Sequence, residues 1–121
     1  MTAKYNFRIN QGADHIVPLV FKNGDGTLLD LDGVSCSMQL RKTKATVEYE
    51  DWLTTGNGRI AIDVSCARAT LHFPHEVTKK LPAQSLVYDL ELTAADGAIN
   101  RVLEGVISVS AEVTRDDDRA S

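Results

Sequence analysis

An all-β, antiparallel sandwich of about seven to nine strands is the fold class this chain predicts. Three observations predict it. Apolar and polar residues alternate strictly over long stretches, above all from Ser85 to Arg115, and a period of two is the mark of a strand with one dry and one wet face. Turn-forming residues recur about every 8 to 12 positions, the spacing of short antiparallel strands. No helical run separates the strands, which excludes a parallel sheet with helical crossovers.

Tyr5, Phe7 and Ile9 mark a first strand, ended by Gln11-Gly12. His15 to Lys22 is the second, with Val17, Leu19 and Phe21 inward. Pro18 lacks the N–H that a central strand needs, so this strand belongs at an edge or breaks there. Asn23-Gly24-Asp25-Gly26 is a strong turn, Thr27 to Leu31 resumes the chain, and Asp32-Gly33 turns it again. Val34, Cys36, Met38 and Leu40 form the dry side of the next strand, and Ser35, Ser37, Gln39 and Arg41 its wet side. Val47 to Leu53 is a weaker strand holding the single tryptophan, Trp52. After Thr54-Thr55-Gly56-Asn57-Gly58, two short strands follow, carried by Ile60, Ile62 and Val64 and by Ala69, Leu71 and Phe73.

His75 to Leu81 is the one convincing helical piece, started after Pro74, stopped by Pro82, and suited to a crossover between sheets. The last third is a long hairpin. Leu86, Tyr88, Leu90 and Leu92 point inward on one arm, with Val87, Asp89, Glu91 and Thr93 outward. Leu103, Ile107, Val109, Ala111 and Val113 point inward on the other, and Gly105-Val106 interrupts the pattern. Asp96-Gly97 supplies the turn residue that takes positive φ cheaply.

Length fits a single domain over residues 1–115 with an acidic tail at 116–121, Asp116-Asp117-Asp118-Arg119 being its core. A 43% hydrophobic and 25% charged composition is that of a soluble globular chain. A net charge of −4 argues against nucleic acid as a partner, because binding it requires a concentrated positive footprint. No apolar run is long enough to span a bilayer, and Met1 to Tyr5 lacks an apolar leader, so no membrane is expected and the cytosol is the expected place of synthesis. The run Arg41-Lys42-Thr43-Lys44 reads as a solvated strand end. Cys36 and Cys66 read as two buried thiols, with a disulfide between them the sharper option.

Catalytic candidates are thin. His72 and His75 are separated by Pro74, and zinc sites gather three or four ligands. From Asn23, the sixth and twelfth positions of a calcium loop would be Leu28 and Val34, where glycine and a bidentate glutamate are needed. Asp89 and Glu91 share one strand face about 7 Å apart, yet acid–base work requires shelter that a wet face does not provide. The expectation is a protein without enzymatic activity, cofactor or metal.

Several phrases carry a family resemblance. They are Phe7-Arg8-Ile9-Asn10-Gln11-Gly12-Ala13-Asp14, the stretch from Asn23 to Gly33, Met38-Gln39-Leu40-Arg41, Tyr88-Asp89-Leu90-Glu91-Leu92, Asp96-Gly97, Arg101 to Val109, and Val113-Thr114-Arg115. In this order they resemble the small Ig-like domains of tailed-bacteriophage structural proteins, including the N-terminal domain of baseplate upper proteins. The resemblance implies an Ig-like sandwich acting as an adaptor or completion component of a tail, baseplate or collar. It implies a virion location after synthesis in the host cytoplasm, other virion proteins (tail, baseplate, collar or fibre) as partners, and a homo-oligomer. It brings no catalytic residues. The residues expected at partner interfaces are Tyr5, Phe7, Tyr49, Trp52 and Arg115, with the first strand and the tail after Val113 carrying much of the contact. A second reading is a soluble sandwich that binds carbohydrate or peptide through exposed aromatics, Trp52 and Tyr49 foremost.

Overall fold

A computed structural model describes residues 2–113. Nine strands are present among them: β1 Ala3–Lys4, β2 Phe7–Asn10, β3 His15–Val20, β4 Ser35–Arg41, β5 Asp51–Thr54, β6 Ile60–Asp63, β7 Arg68–Phe73, β8 Ser85–Thr93 and β9 Ile99–Ser110. They make two sheets. The larger runs β1-β9-β8-β4-β5, with β2 also on β9, and the smaller runs β3-β7-β6. The sandwich expectation holds, and the pairing is antiparallel except that β1 and β2 run parallel to β9.

Alternation explains the layers. Cys36, Met38 and Leu40 of β4, Leu86, Tyr88, Leu90 and Leu92 of β8, and Leu103, Ile107 and Val109 of β9 are buried, facing Val17, Ile60, Ala69, Leu71 and Phe73 of the smaller sheet. Ala111 and Val113 depart from the expected dry side: β9 ends at Ser110 and both are exposed. Thr27 to Leu31 forms no strand and contributes a single bridge, Lys22 to Leu28. Pro18 sits in β3, an edge strand, as its missing N–H requires. Helix α1, His75–Thr78, joins β7 of one sheet to β8 of the other. Pro74 offers it no side-chain cap, and Asp14 takes that role, accepting the His75 N–H at 2.7 Å. That bond, then the contact with the imidazole, holds the Asp14 carboxyl below its usual range.

Two irregularities shape the larger sheet. At Gly105, an added Cβ would run into the Tyr5 carbonyl, so glycine is what lets the N-terminal segment kink between β1 and β2. Asn6 fills the kink by accepting the Val106 N–H at 2.9 Å, and the buried Tyr88 hydroxyl donates to the Tyr5 carbonyl at 2.5 Å. The second irregularity is a register shift between Leu90 and Glu91, where β9 carries one extra residue. Leu90 pairs with Leu103 but Glu91 pairs with Arg101, leaving Val102 to pack against the core. A bulge of this kind re-aims the side chains beyond it.

The sheets are clasped at one side by a buried ion pair. Arg59 meets Asp51 through two bonds of 3.1 and 2.7 Å, donates Nε to the His72 carbonyl at 2.8 Å and lies over the Phe73 ring. Both cysteines are free, Cys36 in the core and Cys66 half-buried in the 3-10 turn Val64–Cys66. Burial pushes the Cys36 thiol up to about 11.

Candidate functional site

The outward residues of β4, β8 and β9 build a recessed polar face on the larger sheet. Cross-strand register sets its rows: Trp52 opposite Gln39, Gln39 opposite Asp89, Asp89 opposite Glu104, and Glu104 opposite Lys4. A second row sets Ser37 against Glu91 and Glu91 against Arg101. A third sets Arg41 against Val87 and Val87 against Val106. Between the rows lies a groove of about 340 Å³, walled by Gln39, Arg41, Lys44, Asp89, Glu91 and Arg101. It continues into a recess of about 280 Å³ bounded by Lys4, Asn6, Lys44, Val87, Glu104 and Val106.

The electrostatics divide along β8. At the Glu91 end, Arg101 is shared between Asp89 and Glu104, each at 3.6 Å, while the Glu91 carboxylate has no hydrogen bond or ion pair among the described residues. At the Val87 end, Arg41 is spent on structure. Its guanidinium donates to Gln39 Oε1 at 2.5 Å, to the Thr46 carbonyl at 3.1 Å and to the Val47 carbonyl, which pins the loop that carries Lys44. The ammonium groups of Lys44 and Lys4 remain unengaged by other described residues. Gly105 and the β9 bulge are both needed here: one admits the N-terminal segment bearing Lys4, the other turns Arg101 outward.

Trp52 and Tyr49 flank this face, both about half exposed, with ring centroids 5.5 Å apart in an edge-on pair. Trp52 Nε1 donates to Ser37 Oγ at 2.9 Å, which fixes the indole against β4. Tyr5 and Phe7 lie elsewhere. Tyr5 is exposed and stacks on Phe7 at 5.5 Å. Phe7 is half-buried against Tyr88, His15 and Phe73, packed on the edge of the core. Arg115 and the tail 116–121 lie outside the described residues. Thus Tyr49 and Trp52 are brought together, and neither is joined to the Tyr5–Phe7 cluster.

The other candidates stay apart. His72 is half-buried on β7 opposite Ile16, whereas His75 is bound to Asp14 at 2.9 Å and Glu76 at 3.2 Å. Asp25 accepts from the Thr27 N–H and hydroxyl, and Asp30 from the Asp32 N–H, so the acidic loop is a pair of self-satisfied turns. Among the described residues no group of three or more His, Cys, Asp or Glu is placed to hold a metal ion. No helix among them is long and apolar enough to cross a membrane.

Sequence alternation placed Gln39, Asp89 and Glu91 on the wet side correctly but missed Lys4, Lys44 and Arg101 as one constellation. The interruption at Gly105-Val106 was the available signal.

Comparison with known proteins bears on the fold. No family model matches the chain, and no curated protein matches it. Among solved structures, that of CopC from Methylosinus trichosporium OB3b overlays 89% of this chain and 86% of its own with a TM-score of 0.50 at 15% identity. At that identity the likeness is one of fold. It corrects the resemblance read from the sequence: the overlaid structure is CopC and not a phage structural protein. The phrases behind that resemblance are turns and strand alternations, which any β-sandwich must have. With it fall the reading as a tail, baseplate or collar component and the virion location.

Proposed function

We propose that this chain is a non-catalytic binding module whose recognition surface is the outer face of its larger sheet. The observation that carries the reading is the continuous groove along β8, which joins unengaged charges at both ends to an apolar floor at one. A concave site with a few convergent polar groups is the usual form of a small-ligand site. Binding without turnover fits its chemistry. The walls offer no serine, cysteine or histidine, and the carboxylates of Asp89 and Glu104 are both engaged by Arg101. General acid–base catalysis depends on groups shielded enough to shift their proton affinity.

The test is backbone-amide NMR of the full chain against separate mixtures of neutral sugars, amino acids and small organic acids. Saturable shifts confined to residues 39–44, 87–91 and 101–106 are the expected result. Shifts gathered on the smaller sheet, or turnover of any compound, would overturn the proposal. Trp52, the single tryptophan, gives an independent optical readout from beside Gln39.

A further inference from the structure

The recess at the Val87 end of the groove is chemically unlike the rest of that face. Val87 and Val106 are directly opposed across β8 and β9, and both are half-buried on the side where neighbours are charged or polar. Lys4 arrives from β1 and Lys44 from the loop after β4, so two cations from distant parts of the sequence flank one valine pair. Neither ammonium is engaged by another described residue. Glu104 faces the same recess, its carboxylate already held by Arg101 at 3.6 Å.

From this arrangement we infer that the recess takes a small organic carboxylate with an apolar body. The carboxylate sits between Lys4 and Lys44, and the hydrocarbon part lies over Val87 and Val106. Each part answers a feature of the site. An ammonium is a compact, strongly hydrated donor on a long flexible stem, suited to meeting a single anionic head. The valine pair offers apolar surface that a hydrocarbon covers with release of water. A monoanion is favoured over a phosphate dianion because Glu104 offsets part of the lysine charge and would repel the second negative charge at close range. The inference rests on the proposed binding face and gives it a ligand class.

The deciding experiment titrates the full chain with octanoate and, separately, with octylamine, which matches the tail and reverses the head. Amide shifts of Lys44, Val87, Gly105 and Val106 are followed. Octanoate is expected to shift them saturably and to bind at least about tenfold more tightly than octylamine, a difference of about 1.4 kcal/mol. The double variant Lys4→Gln/Lys44→Gln, both surface changes, is expected to lose about tenfold or more in octanoate affinity with the remaining spectrum unchanged. Val87→Thr, of similar shape, is expected to weaken octanoate through the floor alone. Equal binding of octanoate and octylamine, or an unaffected lysine variant, overturns the assignment. If octanoate leaves these amides unmoved while an amino acid or sugar shifts residues 39–44 and 87–91, the ligand class falls and the binding face stands. If nothing shifts either region, both fall.

Discussion

Asp51 and Arg59 show how much one pair of side chains can decide. Asp51 is inward on an edge strand, buried to 8% exposure, and its charge is met by both guanidinium nitrogens that face it. Removing one member of such a pair leaves a buried charge without its partner, typically a loss of about 3–5 kcal/mol. Asp51→Ala is therefore expected to lower stability by that order in urea denaturation. Asp51→Leu combined with Arg59→Leu should recover a large part of it, since no orphan charge remains. Cys36 makes the pH dependence of stability readable. Its thiol is neutral and buried, with its folded pKa raised from the ordinary 9.0 to about 11. The stabilisation is thus complete below about pH 9 and is lost as pH rises toward 11, by roughly 2–3 kcal/mol. Denaturation at a series of alkaline pH values should show this decline, and Cys36→Ala should remove its own share of the slope. Tyr88, raised by burial and then by Tyr5, adds a decline in the same direction.

Edge strands are where the elements needed special provision. β5 exposes one ladder side, and Asn57 occupies it. Its Nδ2 donates to the Trp52 carbonyl at 3.0 Å, and its Oδ1 accepts from the Thr54 and Arg59 N–H groups, each at 3.0 Å. The side-chain amide does what a neighbouring strand would do. Asn57→Ala is expected to cost about 1 kcal/mol and to make association concentration-dependent by light scattering, because a bare edge recruits another. Pro18 protects β3 by the opposite means, a missing donor. Gly105 is a different necessity, on the interior strand β9. Gly105→Ala forces its new methyl against the Tyr5 carbonyl, and a loss of about 1–3 kcal/mol is expected by thermal unfolding.

At the scale of the molecule, the first strands close the sandwich on the last. Ile9 of β2, fully buried, pairs with Val109 of β9, so segments a hundred positions apart share one core. Replacing Ile9 by Ala is expected to cost about 2–5 kcal/mol. Removing residues 2–10 should abolish cooperative unfolding, because domains of this size have only about 5–15 kcal/mol in total. Circular dichroism through a thermal ramp would record both. The same closure brings Lys4 and Lys44 to the walls of one recess, so the proposed ligand recess exists only in the folded whole.

The sequence by itself determined the layers. Alternation in β4, β8 and β9 sorted Cys36, Met38, Leu40, Leu86, Leu90 and Ile107 inward, because a two-residue period leaves each side chain only two directions. It also narrowed β3 to an edge or a broken strand and set the helix between the sheets, since proline constrains its own backbone locally. The tertiary structure decided what alternation cannot encode. Parallel pairing of β1 and β2 with β9 joins residues about a hundred positions apart, and the bulge at Arg101 moves a charge from the dry side to the wet one. The bond from Asn57 to Trp52 and the convergence of Lys4 and Lys44 on one recess are of the same kind. Side-chain direction is a local property of the backbone, whereas proximity between strands is set only when the sheets close.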